Sequence, residues 1–126
     1  MDLRSRAEMR APIELSGKEQ EHLRFEMRKL LESVQMITEA LAEDKMDFVA
    51  ENAKKYGMGM VDDAAISLAM KTTPEFVALS ADMHQKFDDL ALYATQGGTK
   101  TGALKQLGAI LANCTACHAA YRISPQ

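Results

Sequence analysis

The chain of 126 residues has no tryptophan, three tyrosines, four phenylalanines, three prolines and two cysteines. Two cysteines cannot supply the several cross-links on which small disulfide scaffolds depend, so stability must come from a packed core. Nearly half the residues are apolar, which is enough to build one core in one domain. Charge of either sign is not in large excess: the formal net charge is -3, with acids and bases scattered along the chain. That distribution recommends neither nucleic acid nor an anionic membrane as partner. No apolar run approaches the ~20 residues of a membrane-spanning helix. A leader with a basic start and an apolar stretch is also missing from the opening MDLRSRAEMRAP, so any exported protein would be represented in its mature form. Runs of valine, isoleucine and threonine are scarce, and no internal repeat or low-complexity segment is present. Strand-built folds are therefore disfavoured.

What the sequence does have is alanine, leucine, glutamate, lysine and nine methionines, a composition of helix formers. Ser16-Gly17-Lys18-Glu19 has the form of a capping box and opens a helix over about residues 17–42. Its apolar stripe is Leu23, Met27, Leu30, Leu31, Val34, Ile37 and Leu41, at steps of three and four. Residues 1–15 contain Pro12 and no periodicity, and are expected to form an extended arm ahead of a domain at 16–126. A second helix carries Phe48, Val49, Ala53 and Tyr56 inward and ends at Gly57. Met58-Gly59-Met60 reads as a loosening from which Met58 and Met60 reach no pocket, and residues 62–70 as one or two helical turns. Thr73-Pro74-Glu75 starts another helix, striped by Phe76, Leu79, Met83, Phe87, Leu90 and Ala94 and stopped by Gly97-Gly98. Thr101 is the expected cap of the last helix, with Leu104, Leu107, Leu111, Cys114, His118 and Tyr121 facing inward. Four amphipathic helices with short links predict an all-α, antiparallel four-helix bundle.

Both cysteines fall in Cys114-Thr115-Ala116-Cys117-His118, the C-x-x-C-H pattern of covalent haem attachment. Two thiols at this spacing can reach the two vinyl groups along one edge of a porphyrin, and the following histidine can offer its imidazole to the iron. A thioredoxin-like redox pair expects a βαβ context, which this chain lacks. A structural zinc needs a fourth ligand, for which only His22 and His84 are available. A plain disulfide between helical positions would leave His118 unexplained. One haem c, bound through Cys114, Cys117 and His118, is the reading that uses all three residues.

The motif in the last helix, continued by Ala119-Ala120-Tyr121-Arg122, resembles the cytochrome c′ (class II cytochrome c) family, over roughly residues 16–122. The resemblance implies a left-handed bundle, often homodimeric, with Tyr121 and Arg122 close to the haem and His118 as proximal ligand. Periplasmic localisation follows from where such haem attachment takes place. In this family a first-helix residue faces the iron opposite the histidine, and Met27 is the corresponding candidate, flanked by Leu23 and Leu31. Met27 as a sixth ligand would make the protein an electron carrier with a redox partner protein, without enzymatic activity. A vacant sixth position, merely shielded by Met27 or Leu23, would instead give a binder of nitric oxide or carbon monoxide. His22 beside the stripe is a rival ligand, but a histidine there is ordinarily a surface residue. A methionine at helical spacing is likewise ordinarily core filler. His84 is expected at the boundary of the third main helix. Arg24 and Arg28 are candidates to pair with haem propionates. Phe25 and Met36, off the stripe, are candidates for a dimer contact. No distal histidine–arginine pair of the sort peroxide chemistry needs is evident.

Overall fold

The computed structural model describes residues 9–126. Part of the expected arm, residues 1–8, lies outside the described residues. The order of elements is β1 (Ala11–Leu15), α1 (Gly17–Ala42), α2 (Met46–Lys54), a 3₁₀ turn (Met58–Met60), α3 (Asp63–Ala69), α4 (Pro74–Thr95), α5 (Lys100–Ala120) and β2 (Tyr121–Pro125). The protein is thus predominantly helical, and among the described residues no helix is long and apolar enough to cross a membrane.

Helix starts follow local chemistry. The Ser16 hydroxyl accepts the Glu19 N–H, and the Glu19 carboxylate accepts the Ser16 N–H at 2.8 Å, so both halves of the capping box form. Asp62 caps α3, and Thr73 caps α4 with Pro74 in the first turn. Helix α5 is capped by Thr99, not Thr101: the Thr99 hydroxyl accepts the Gly102 N–H at 3.0 Å, and the Tyr93 hydroxyl accepts the Thr99 N–H. Thr101 lies one residue inside the helix. The chain leaves α4 through Gly97, at φ 77°, a conformation that costs glycine little.

The main core joins α1, α2, α4 and α5 around Ile37, Leu41, Val49, Phe87, Leu90, Ala103, Leu107 and Ile110. Helix α2 packs most extensively on α4, and α4 on α5, whereas α1 approaches α5 only sparsely. The inward face of α5 is Ala103, Leu107 and Ile110, while Leu104, Leu111 and His118 are exposed, a correction to the expected stripe. Its register is fixed partly by Asn113, a buried amide that a purely apolar count passes over. Phe48 also turns outward, where its ring meets the Lys45 ammonium. Helix α2 stops at Lys54, three residues before Gly57. Glycine is needed at 57 for a different reason: a Cβ there would overlap the Asp88 carboxylate.

The short parallel sheet is the main departure from an all-helical chain. β1 pairs with β2 from Ala11↔Tyr121 to Leu15↔Pro125. Ile13 and Leu15 alternate with exposed neighbours and bury against Leu68 and Phe76, forming a second core that Tyr121, Ile123 and Cys117 join. The arm is therefore a strap that ties the beginning of the domain to the end of α5.

Candidate haem site

Cys114, Cys117 and His118 occupy the last two turns of α5, and three separate devices fix that end. Asn113, one residue before the first cysteine, donates to the Leu79 carbonyl at 3.1 Å and to Asp82 Oδ2 at 2.9 Å. Its own oxygen accepts from Lys86 at 2.8 Å. All the polar capacity of this amide directed into the protein is used, so it pins α5 to α4 without leaving an unpaired group. The ammonium of Lys86, and then the Asn113 amide, hold the Asp82 carboxyl below its usual range. At the helix end, Arg10 donates to the His118 and Tyr121 carbonyls at 3.1 and 3.3 Å, satisfying oxygens that α5 cannot pair internally. Tyr121 stacks edge-on against Phe76 and its hydroxyl meets Thr73 Oγ1 at 3.1 Å.

Between α1, α4 and α5 lies a cavity of about 340 Å³ whose wall carries Cys114, Cys117 and His118. Opposite them stand Met27, Arg28, Leu31 and Val34 of α1, with Phe76, Leu79, Met83 and Phe87 along α4. A second cavity, of about 490 Å³, adjoins it under α3 and shares Met27, Leu30, Phe76, Ser80 and Met83. Cys114 packs against the main core and Cys117 against the second, so the thiols stand where the two cores meet. Leu31 is 71% exposed and Leu111 40%, and both border the thiol cavity. The site is therefore an apolar slot, open along the α1–α5 edge, with an imidazole and two thiols on one wall.

The electrostatics separate this pair from a reactive dithiol. Burial pushes both thiols up from their ordinary range, and for Cys117 the neighbouring Cys114 adds to it. Their position near a helix C-terminus also disfavours a negative charge. Catalytic C-x-x-C pairs have the opposite arrangement, with a thiolate stabilised at a helix N-terminus. The cysteines are not joined to each other. Among the described residues no cluster of three His, Cys, Asp or Glu side chains is assembled for a metal ion. The residues present fit a large apolar plate anchored by two neutral thiols better than they fit a zinc ion.

Of the residues read from the sequence, Met27 and Leu31 do border the slot with Cys114, Cys117 and His118. Leu23 borders only the second cavity. Tyr121 and Arg122 fall beyond the end of α5, because the chain turns into β2 after Ala120. Arg122 therefore does not lie one turn after His118 on the same helix; its Nε is buried without a hydrogen-bond partner. Arg28 borders the thiol cavity, while Arg24 borders neither. His22 pairs with Glu26 at 3.6 Å. His84 is buried to 7% exposure, not a boundary residue, and Met58 and Met60 line the second cavity after all. The reason is the turn at 57–60, which folds back onto α4. Arg10 and Asn113 escaped sequence reasoning: neither carries a periodic signal, and their partners lie 108 and 34 residues away.

No protein-family model, no curated protein and no solved structure matches the chain.

Proposed function

We propose that this protein is a c-type haem protein of periplasmic electron transfer, built as an antiparallel four-helix bundle of α1, α2, α4 and α5. The observation that carries the reading is the placement of Cys114, Cys117 and His118 together on the wall of an apolar slot, with Met27 on the facing helix. Cys114 and Cys117 would hold a haem as thioethers, and His118 would be the proximal iron ligand. When bound, haem supplies one-electron chemistry at iron. Met27, which lines the same slot from α1, would be the second protein ligand, and thioether ligation would favour the reduced state and raise the potential. Buried Phe76 and Phe87 give the slot an apolar wall, and the exposed Leu31 and Leu111 would lose their solvent exposure against an apolar plate. Arg28, at the border of the slot, is placed to receive a carboxylate through two parallel N–H groups. The chain needs no catalytic group of its own for this role. Its partner would be a redox protein, and exposed Phe25 and Met36 on α1 offer a contact for a second copy.

The test is protein produced with an intact periplasmic haem-maturation system. Mass spectrometry should show the chain plus one haem, resistant to acid-acetone extraction and lost in C114S/C117S. Reduction should give sharp, split visible bands indifferent to carbon monoxide. A broad high-spin spectrum with ready carbon monoxide binding would replace electron transfer by gas binding at a five-coordinate iron. A chain that matures without haem would overturn the reading altogether.

A further inference from the structure

Past the wall formed by Met27, Phe76 and Met83, the second cavity holds donors that the haem slot does not touch. His84 is buried, and its Nδ1 lies 2.7 Å from the Tyr56 carbonyl oxygen. A carbonyl only accepts, so Nδ1 is the donor in this contact, and in the neutral ring Nε2 presents a lone pair. Nε2 makes no hydrogen bond among the described residues. One ring nitrogen held by a carbonyl is the arrangement that orients an imidazole to bind a metal through the other.

The same contact ties the segment that leads into Met58 and Met60 to α4. Tyr56 is followed after one residue by Met58-Gly59-Met60, whose 3₁₀ turn is fastened to α4. The Met58 N–H donates to Asp88 Oδ2 at 2.9 Å, and Asp88 lies one helical turn beyond His84. Gly57 permits this approach, since a Cβ there would meet the Asp88 carboxylate. Met58, Met60 and His84 all line the second cavity, and none of them lines the one at the cysteines. The nearby carboxylates are engaged elsewhere, Asp62 in capping Ala65 and Glu26 with His22. Met58, partly exposed, Met60 and the buried His84 thus border one largely apolar cavity, which Met27, Met70, Met83 and His22 line as well.

We propose that Met58, Met60 and His84 form a binding site for monovalent copper. Thioethers with one imidazole suit Cu(I) and offer little to zinc, which takes thiolate, imidazole or carboxylate, or to the oxygen-seeking magnesium and calcium. The three rotatable bonds of methionine let the two sulfurs close on an ion without moving the backbone. Binding is simple coordination by the neutral imidazole and two thioethers, and no electron is transferred.

The experiment is an anaerobic Cu(I) titration of the haem-loaded protein against a chromophoric Cu(I) chelator; both cysteines are then blocked as thioethers. Should the chain prove not to carry haem, C114S/C117S takes its place, so the result does not depend on the haem reading. The wild-type site should withdraw one equivalent of copper from the chelator, and excess Zn(II) should not displace it. M58L/M60L keeps volume and apolarity and should fold normally by circular dichroism, yet bind about tenfold more weakly or worse. H84Q should do the same. Absence of copper uptake overturns the site, and so does equal uptake by M58L/M60L.

Discussion

At the scale of single residues, the proposed electron-transfer role turns on Met27. It is partly buried, packs on the main core and borders both cavities, one of which His118 also lines. Replacing it by leucine conserves volume and should change stability by less than ~1.5 kcal/mol. The electronic effect should be far larger. M27L should lose the sharp low-spin spectrum and gain carbon monoxide binding, because leucine has no lone pair for the iron. An unaltered spectrum in M27L would remove Met27 as a ligand. Legibility was uneven at this scale. Cys114, Cys117 and His118 are contiguous, so their spacing announces them. Met27 stands out only as one inward methionine among nine, and neither Asn113 nor Arg10 stands out at all, because their partners are remote in sequence.

Among the elements, α1 shows how a local motif acquires a long-range role. Its capping box is fully legible in Ser16-Gly17-Lys18-Glu19. Glu19 also accepts a hydrogen bond from Lys71 Nζ at 2.8 Å, which joins the start of α1 to the link between α3 and α4. The Lys71 ammonium first, and then the Ser16 N–H, hold the Glu19 carboxyl down to about 2. A folded-state value below the ordinary one of 4.5 means that this contribution to stability is present above about pH 4.5. It declines as the pH falls from there through about 2. Thermal midpoints measured against pH should therefore show E19Q less stable than wild type near neutrality and converging with it toward pH 2. A constant gap across that range would show that the charge on Glu19 is not what matters. Glu19 and Lys71 remain partly open to solvent and salt will screen the pair, so the gap should also narrow at high ionic strength.

For the molecule as a whole, the decisive feature is the strap. Leu15 is fully buried in the second core with Phe76, and β1 runs alongside β2, the strand that follows the C-x-x-C-H motif. Leu15→Ala should cost about 2–5 kcal/mol, read as a lowered urea midpoint at unchanged slope. It should also loosen the end of α5, since Cys117 and Tyr121 pack on the same cluster. A change below about 1 kcal/mol would mean that the strap rests on the domain without supporting it.

The sequence by itself determined the helices and the chemistry of the motif. Capping, periodicity and the spacing of two thiols and an imidazole are interactions over a few residues, and they are written contiguously. The expected stripe of α4 holds at Phe76, Met83, Phe87 and Leu90 for the same reason. Only the tertiary structure decided which wall each helix turns toward the slot. It rotated α5 onto Ala103, Leu107 and Ile110, carried Arg122 off the helix into a strand, and folded Met58 and Met60 onto the cavity that His84 also lines. Those outcomes depend on pairings between segments tens of residues apart: Asn113 with Leu79, Tyr56 with His84, and β1 with β2. Their energies arise only when the chain is closed on itself, and no local pattern encodes the partner.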